Sequence, residues 1–256
     1  MTRIYTLVNQ KGGVGKTTTT INLGAYLAQL GQRVLIVDLD SQANATSSLG
    51  VDKRTVQAST YDALLAGDIP ASSILFNERL KLSLLPSSPA LAGAEIELVE
   101  EADREFKLKN ALGSVDGKYD YILIDCPPSL GILTVNGLVA SRDGMLVPVQ
   151  CEYLALEGLG QITQTIERVR SALFPDLRVR GVVLTMFDPR TNLSSDVVKE
   201  VNNHFPGQVF KSIIPRSIRL AEAPSYGLPI SAFAPVSVGA KAYEALAREL
   251  LKGDGK

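Results

Sequence analysis

The chain has 256 residues, 45% of them hydrophobic, with 26 Lys and Arg against 27 Asp and Glu and a formal net charge of −1. That length and apolar content suit one domain spanning 1–256 with a large core, and they exclude a disordered or collagen-like chain. Two cysteines, Cys126 and Cys151, lack C-x-x-C spacing, which excludes a disulfide framework and a zinc site built from cysteine alone. No apolar run approaches the ~18 residues of a membrane span. Met1-Thr-Arg leads straight into an apolar run without the features of a signal peptide, so a cytoplasmic location is expected. The charge is uneven. Residues 160–256 carry 13 Lys and Arg against 9 Asp and Glu, and residues 1–159 carry 13 against 18. A basic C-terminal part hints at a face for a polyanion.

Runs rich in Val, Ile and Leu predict strands over 4–8, 34–38, 80–85, 120–125, 144–149, 179–186 and 209–214. Helical patterns fall between most of them, over 17–30, 59–66, 90–112, 130–140, 153–173, 193–204 and 237–251. Alternating strands and helices with near-continuous apolar strands imply an α/β fold, a mostly parallel twisted sheet with helices on both faces. Ligands of such sheets bind at the carboxyl ends of the strands.

The first strand and first helix are joined by Gln10-Lys11-Gly12-Gly13-Val14-Gly15-Lys16-Thr17-Thr18. A glycine loop between strand and helix is a phosphate-binding loop, because glycines let the backbone N–H groups of Gly12 to Thr18 approach phosphate oxygens. The helix that follows adds its positive end. Lys16 would reach the β- and γ-phosphates, and the Thr17 hydroxyl would ligate Mg²⁺. The usual glycine five residues before Gly15 is Gln10, and a second lysine, Lys11, opens the loop.

Two later strands end in carboxylates. Val34 to Asp38 runs into Leu39-Asp40-Ser41-Gln42-Ala43-Asn44, where two aspartates two apart can both face the nucleotide and orient an attacking water. Tyr119-Asp-Tyr-Ile-Leu-Ile-Asp125 is an apolar strand ending in a carboxylate, which would hold Mg²⁺ directly or through a water. Cys126 follows, and no basic residue nearby in sequence would lower its pKa, so it reads as a packed residue. The stretch 52–118 carries little signal. Within it, Glu95 to Arg104 reads as a solvated helical face.

Lys11-Gly-Gly-Val-Gly-Lys16-Thr17 resembles the deviant Walker A motif of the ParA/MinD superfamily of P-loop NTPases. The run from Asp38 to Asn44 resembles D-x-D-P-Q-x-N, and Asp125-Cys-Pro-Pro128 resembles D-[CT]-P-P. Pro148 to Gly158 is similar to P-x-[QE]-x-E-x-x-[AS]-x-x-G, and Ile214 to Ile230 to I-P-R-N-x-x-L-x-E-A-P-x-x-G-x-P-I of the ParA/Soj branch, with Ser217 in place of the asparagine.

The resemblance implies a chromosome- or plasmid-partitioning ATPase using ATP and Mg²⁺. It implies an ATP-bound homodimer in which Lys11 crosses to the partner's nucleotide, with Gly12 and Glu152 at the interface. Lys11, Lys16 and Asp40 would be catalytic, and Pro215 and Arg216 would frame the adenine. Arg190 and Arg219, with Lys199, Lys241 and Arg248 behind them, would hold double-stranded DNA without sequence preference, on the nucleoid. Hydrolysis would be slow until a ParB/Spo0J-type partner stimulates it. The alternative within the superfamily is a ParA-like or MinD-like ATPase that positions another protein cargo or acts at the membrane surface. The final helix, 237–251, lacks the basic, bulky-apolar character of a membrane anchor, so no stable membrane association is expected.

Overall fold

A computed structural model describes residues 1–152 and 155–256, with backbone alone for 155–159 and 161. The expected helix start at Tyr153 and the side chain of Glu157 lie outside the described residues. Seven strands form one sheet: β1 (Arg3–Leu7), β2 (Val34–Asp38), β3 (Leu75–Asn77), β4 (Leu82–Leu85), β5 (Tyr121–Asp125), β6 (Gly144–Gln150) and β7 (Val179–Thr185). Their order is β3-β4-β2-β5-β1-β6-β7. All pairings are parallel except that of β3 with β4. The connecting helices are α1 (Lys16–Gln29), α2 (Asn44–Ser48), α3 (Thr60–Ala66), α4 (Leu91–Glu97), α5 (Lys107–Leu112), α6 (Ile132–Ala140), α7 (Ala155–Ala172), α8 (Asn192–His204), α9 (Ile218–Glu222), α10 (Ile230–Phe233) and α11 (Val238–Gly253).

Every residue of β2 and β5 is buried, as expected of central parallel strands covered on both faces. Val34 and Ile36 pack with Leu23 and Leu27 of α1 and with Tyr243 and Leu246 of α11. Their neighbours Leu35 and Val37 point the other way, into a second core with Leu64, Leu91 and Leu108 from α3, α4 and α5. A third cluster joins β6 and β7 to Ile162 and Ile166 of α7 and to Val197 and Val201 of α8. The mostly parallel sheet with helices on both faces is the expected fold class.

Two expected elements differ, each for a local reason. Residues 209–214 form no strand; they meet β7 through an isolated bridge at Val182–Val209 and through the Phe210 and Ile214 amides, which donate to the Val182 and Leu184 carbonyls at 3.0 and 2.9 Å. The Glu249 carboxylate captures the amides of Lys211 and Ser212 at 2.7 and 2.9 Å, so the segment bulges out of the ladder. The helix expected over 90–112 is broken between α4 and α5, where Asp103 adopts a left-handed φ of 54°. Asn136 of α6 holds the break: its carbonyl oxygen accepts from Leu108 N at 3.0 Å and its amide donates to the Arg104 carbonyl at 2.8 Å.

Candidate functional site

Parallel topology brings the carboxyl ends of β1, β2 and β5 together, and the glycine loop leaves β1 at that edge. Gly13 and Gly15 take φ of 76° and 89°, the left-handed region in which a β-carbon would be strained. Side chains from neighbouring strands fix the loop. The Thr185 hydroxyl donates to the Val14 carbonyl at 2.8 Å. Asn9 donates to the Pro148 carbonyl at 2.7 Å and accepts from Lys11 N at 3.0 Å. Lys16 is buried, and its ammonium donates to the Lys11 carbonyl at 3.2 Å. Burial lowers its pKa, opposed by the nearby Asp125. Lys16 forms no ion pair among the described residues, so its charge is available to an anion entering the loop. α1 starts at Lys16, which aims unpaired N-terminal amides into the same space.

Asp38 and Asp125 are direct register partners on β2 and β5, and both are fully buried. Asp125 accepts from Thr17 Oγ1 at 2.7 Å and from Thr20 Oγ1 at 3.0 Å. Burial, and then the charge of Asp38, push its pKa up to about 7 against the pull of those hydroxyls. Asp38 accepts from the Thr46 amide at 2.8 Å and hydroxyl at 2.7 Å, and from Asp40 N at 3.2 Å. Burial likewise raises Asp38, to about 6. The two aspartates of this strand end therefore do not share a task. Asp38 is turned into the core as a brace for α2, while Asp40 lines a cavity with Lys16 and Thr17.

That cavity, about 380 Å³, is also lined by Gly12, Gly13 and Asn44. It adjoins a second of about 430 Å³, mostly apolar, with Ile214, Pro215, Ile218 and Leu220 in its walls. Gly15, Thr18 and Met186 border both. A polar, amide-rich end and an apolar slot in sequence suit a nucleotide, phosphates at the loop and base in the slot. Ser217 and Arg216 stand in the slot's wall. The donor set beside the phosphates also suits magnesium: the Thr17 hydroxyl and the Asp125 carboxylate are hard oxygen ligands, and the buried Asp125 makes no direct ion pair among the described residues.

Of the residues expected at an interface, Lys11 and Gly12 lie on the loop, and Glu152, just past β6, makes an ion pair with Arg216. The candidate DNA contacts are solvent-facing and mostly paired with acids: Arg190 with Asp188 at 2.6 Å, Lys199 with Asp196 at 3.2 Å, Arg219 with Glu222 at 2.9 Å and Arg248 with Glu244 at 2.7 Å. Lys241 has no ion-pair partner among the described residues. Both cysteines are buried and free, and burial holds the Cys126 thiol well above its ordinary value despite nearby Lys16. Thr20, Asn9, Thr46, Thr185 and Met186 were not singled out from the sequence. Thr20 was findable, because i, i+3 spacing puts it on the same helix face as Thr17.

Residues 2–179 match the AAA domain family. The chain is 52% identical to the sporulation initiation inhibitor protein Soj of Bacillus subtilis, covering 98% of each chain. It is 51% identical to the chromosome partitioning protein ParA of Myxococcus xanthus, covering 98% of this chain and 89% of that one. A solved structure titled cobyrinic acid a,c-diamide synthase from Mycobacterium smegmatis, with bound ADP and magnesium, superposes with a TM-score of 0.88 at 41% identity over 100% of this chain and 96% of that one. Glycine loop, buried strand-end aspartates and an apolar slot occur here in a chain half identical to named partitioning proteins: the chain belongs to the ParA/Soj family of partitioning P-loop ATPases.

Proposed function

We propose that the chain is a Mg²⁺-dependent ATPase that switches between an ATP-bound homodimer held on DNA and a released form, turning over slowly until a ParB/Spo0J-type protein stimulates it. The observation that carries this reading is the continuous pair of cavities, loop amides and Lys16 at one end and the apolar slot at the other. The loop amides and Lys16 bind the phosphates. Thr17 and Asp125 hold the metal ion, which supplies charge neutralisation at the β- and γ-phosphates. Asp40 orients the attacking water. Pro215 and Arg216 flank the base. Lys11 reaches the partner subunit's nucleotide, and Glu152 meets the partner at the same face. DNA is held through phosphate contacts by Arg190 and Arg219, with Lys199, Lys241 and Arg248 assisting.

Four of these five cations sit beside acids, so DNA must compete with internal ion pairs worth about 0–1 kcal/mol each at the surface. That competition is weak enough for a dense line of phosphates to win, and it makes binding salt-sensitive. Light scattering with ATP, ADP and no nucleotide tests the switch. Asp40→Ala should give a lasting dimer with ATP, while Lys11→Ala and Lys16→Ala should stay monomeric. A monomer under every condition would remove the dimer from this reading.

A further inference from the structure

The glycines that let the loop wrap a phosphate also leave its amides free to face either way. Turning over the Val14–Gly15 peptide changes chiefly ψ of Val14 and φ of Gly15, and glycine accepts φ of either sign at little cost. A loop that binds anions through its amides therefore needs a contact from outside to fix that plane. Thr185, the last residue of β7, supplies one. Its hydroxyl donates to the Val14 carbonyl at 2.8 Å, and both residues are buried. A β-carbon on Gly15 would stand 3.7 Å from the Thr185 γ-methyl, so the methyl lies against the same peptide. Thr185 is itself held by β6, as the register partner of Gln150 and through its carbonyl, which accepts from Cys151 N at 2.9 Å.

The Val14–Gly15 peptide is trans, so its C=O and N–H point in opposite directions. With the carbonyl drawn to β7, the Gly15 N–H faces away from that strand. It makes no hydrogen bond among the described residues. Gly15 borders the phosphate cavity, whose wall includes Gly12, Gly13, Lys16 and Thr17 but not Thr185. The orphan amide and the cavity thus lie on the side of the peptide away from the threonine.

We propose that Thr185 is a positioning residue for phosphate binding: by holding the Val14 carbonyl it keeps the Gly15 N–H aimed at the phosphates, and so sets the loop's affinity for a polyphosphate. This rests on the reading that the loop holds the phosphates of ATP. Without the hydroxyl, the Val14 carbonyl loses its partner and the peptide populates both orientations, of which one presents the amide. Affinity then falls with the fraction of molecules in the competent orientation.

The test is displacement of a fluorescent N-methylanthraniloyl ATP, with Mg²⁺, by ATP and by inorganic tripolyphosphate, on the wild type, Thr185→Val and Thr185→Ser. Valine keeps the shape and lacks the donor; serine keeps the donor. Tripolyphosphate has no base, so it reads the loop without the slot that Thr185 also lines. Thermal unfolding confirms that each protein is folded, and Thr185→Ala takes the place of a valine variant that is not. Thr185→Val should weaken both ligands by the same factor, about tenfold or ~1.4 kcal/mol. Thr185→Ser should return both to within about threefold of the wild type. Tripolyphosphate affinity in the folded valine variant within about threefold of the wild type would overturn the assignment. So would a loss confined to ATP, which would put the effect in the base slot, or a serine variant as weak as the valine one. Tripolyphosphate that fails to compete on the wild type would overturn it too, because the oriented amide would then confer no affinity of its own. Failure of the wild type to bind the fluorescent nucleotide would instead bring down the ATP reading and the positioning role with it.

Discussion

Replacing Asp254 by alanine should cost the fold about 3 kcal/mol and leave nucleotide affinity nearly unchanged. The side chain is 3% exposed and lies just past α11. Its Oδ1 accepts from the Tyr5 hydroxyl at 2.8 Å and from two Arg180 nitrogens at 3.1 and 2.9 Å; Oδ2 accepts from the Tyr121 hydroxyl at 3.0 Å. Burial, and then the charge of Asp254, raise the pKa of both tyrosines, so their hydroxyls stay protonated and donate. Alanine strands two hydroxyls and a guanidinium, and breaking a buried pair from one side costs about 3–5 kcal/mol. Arg180 retains 23% exposure, which places the estimate at the low end. Asp254→Asn keeps an acceptor and should lose about half as much. Urea unfolding of the three proteins, followed by circular dichroism, measures the differences, and nucleotide titration checks the distant site. A loss below about 1 kcal/mol for alanine, or equal losses for both variants, would refute the reasoning.

Three further changes probe the site and its scaffold. A β-carbon added at Gly137 would stand 2.6 Å from Cys126 Sγ and 3.3 Å from Leu39 and Thr6 side-chain carbons, so Gly137→Ala should lower stability by about 1–3 kcal/mol in thermal or urea unfolding. Thr20→Val removes one of two hydroxyl donors to the buried Asp125 and should destabilise the metal-free protein by about 1–3 kcal/mol; no loss would mean that the bond contributes nothing. Asp120 is held down at about 2, first by its side-chain hydrogen bonds with Arg33. A depressed carboxyl adds stability above its unfolded pKa of about 3.9, and that stability is lost as pH falls through the folded value. With Asp120 28% exposed, screening reduces the effect, so Asp120→Asn should cost about 1 kcal/mol near neutral pH. The difference should shrink between pH 4 and pH 2 in urea unfolding.

The strand–loop–helix unit was legible because its signals are local: glycines where φ is positive, a lysine and threonine at the helix start. The strand-end carboxylates were legible for the same reason, since apolar runs ending in Asp38 and Asp125 mark where a parallel sheet opens. What separates the two aspartates of 38–40 was not. Asp38 is occupied by Thr46, eight residues on, and only the fold of α2 shows that it faces inward. Thr185 and Met186 act across long stretches of sequence, on Val14 and between cavities, so nothing in their own neighbourhood announces them. The failed strand at 209–214 has the same origin: Glu249, from the last helix, takes the amides that a ladder would use.

The most direct test of the switch is DNA binding by the purified protein with ATP, with ADP and without nucleotide, at low and high salt. The account predicts binding to DNA of any sequence that requires ATP, falls steeply with salt, persists in Asp40→Ala and is lost in Lys16→Ala. No DNA binding by the ATP-trapped Asp40→Ala dimer would contradict it.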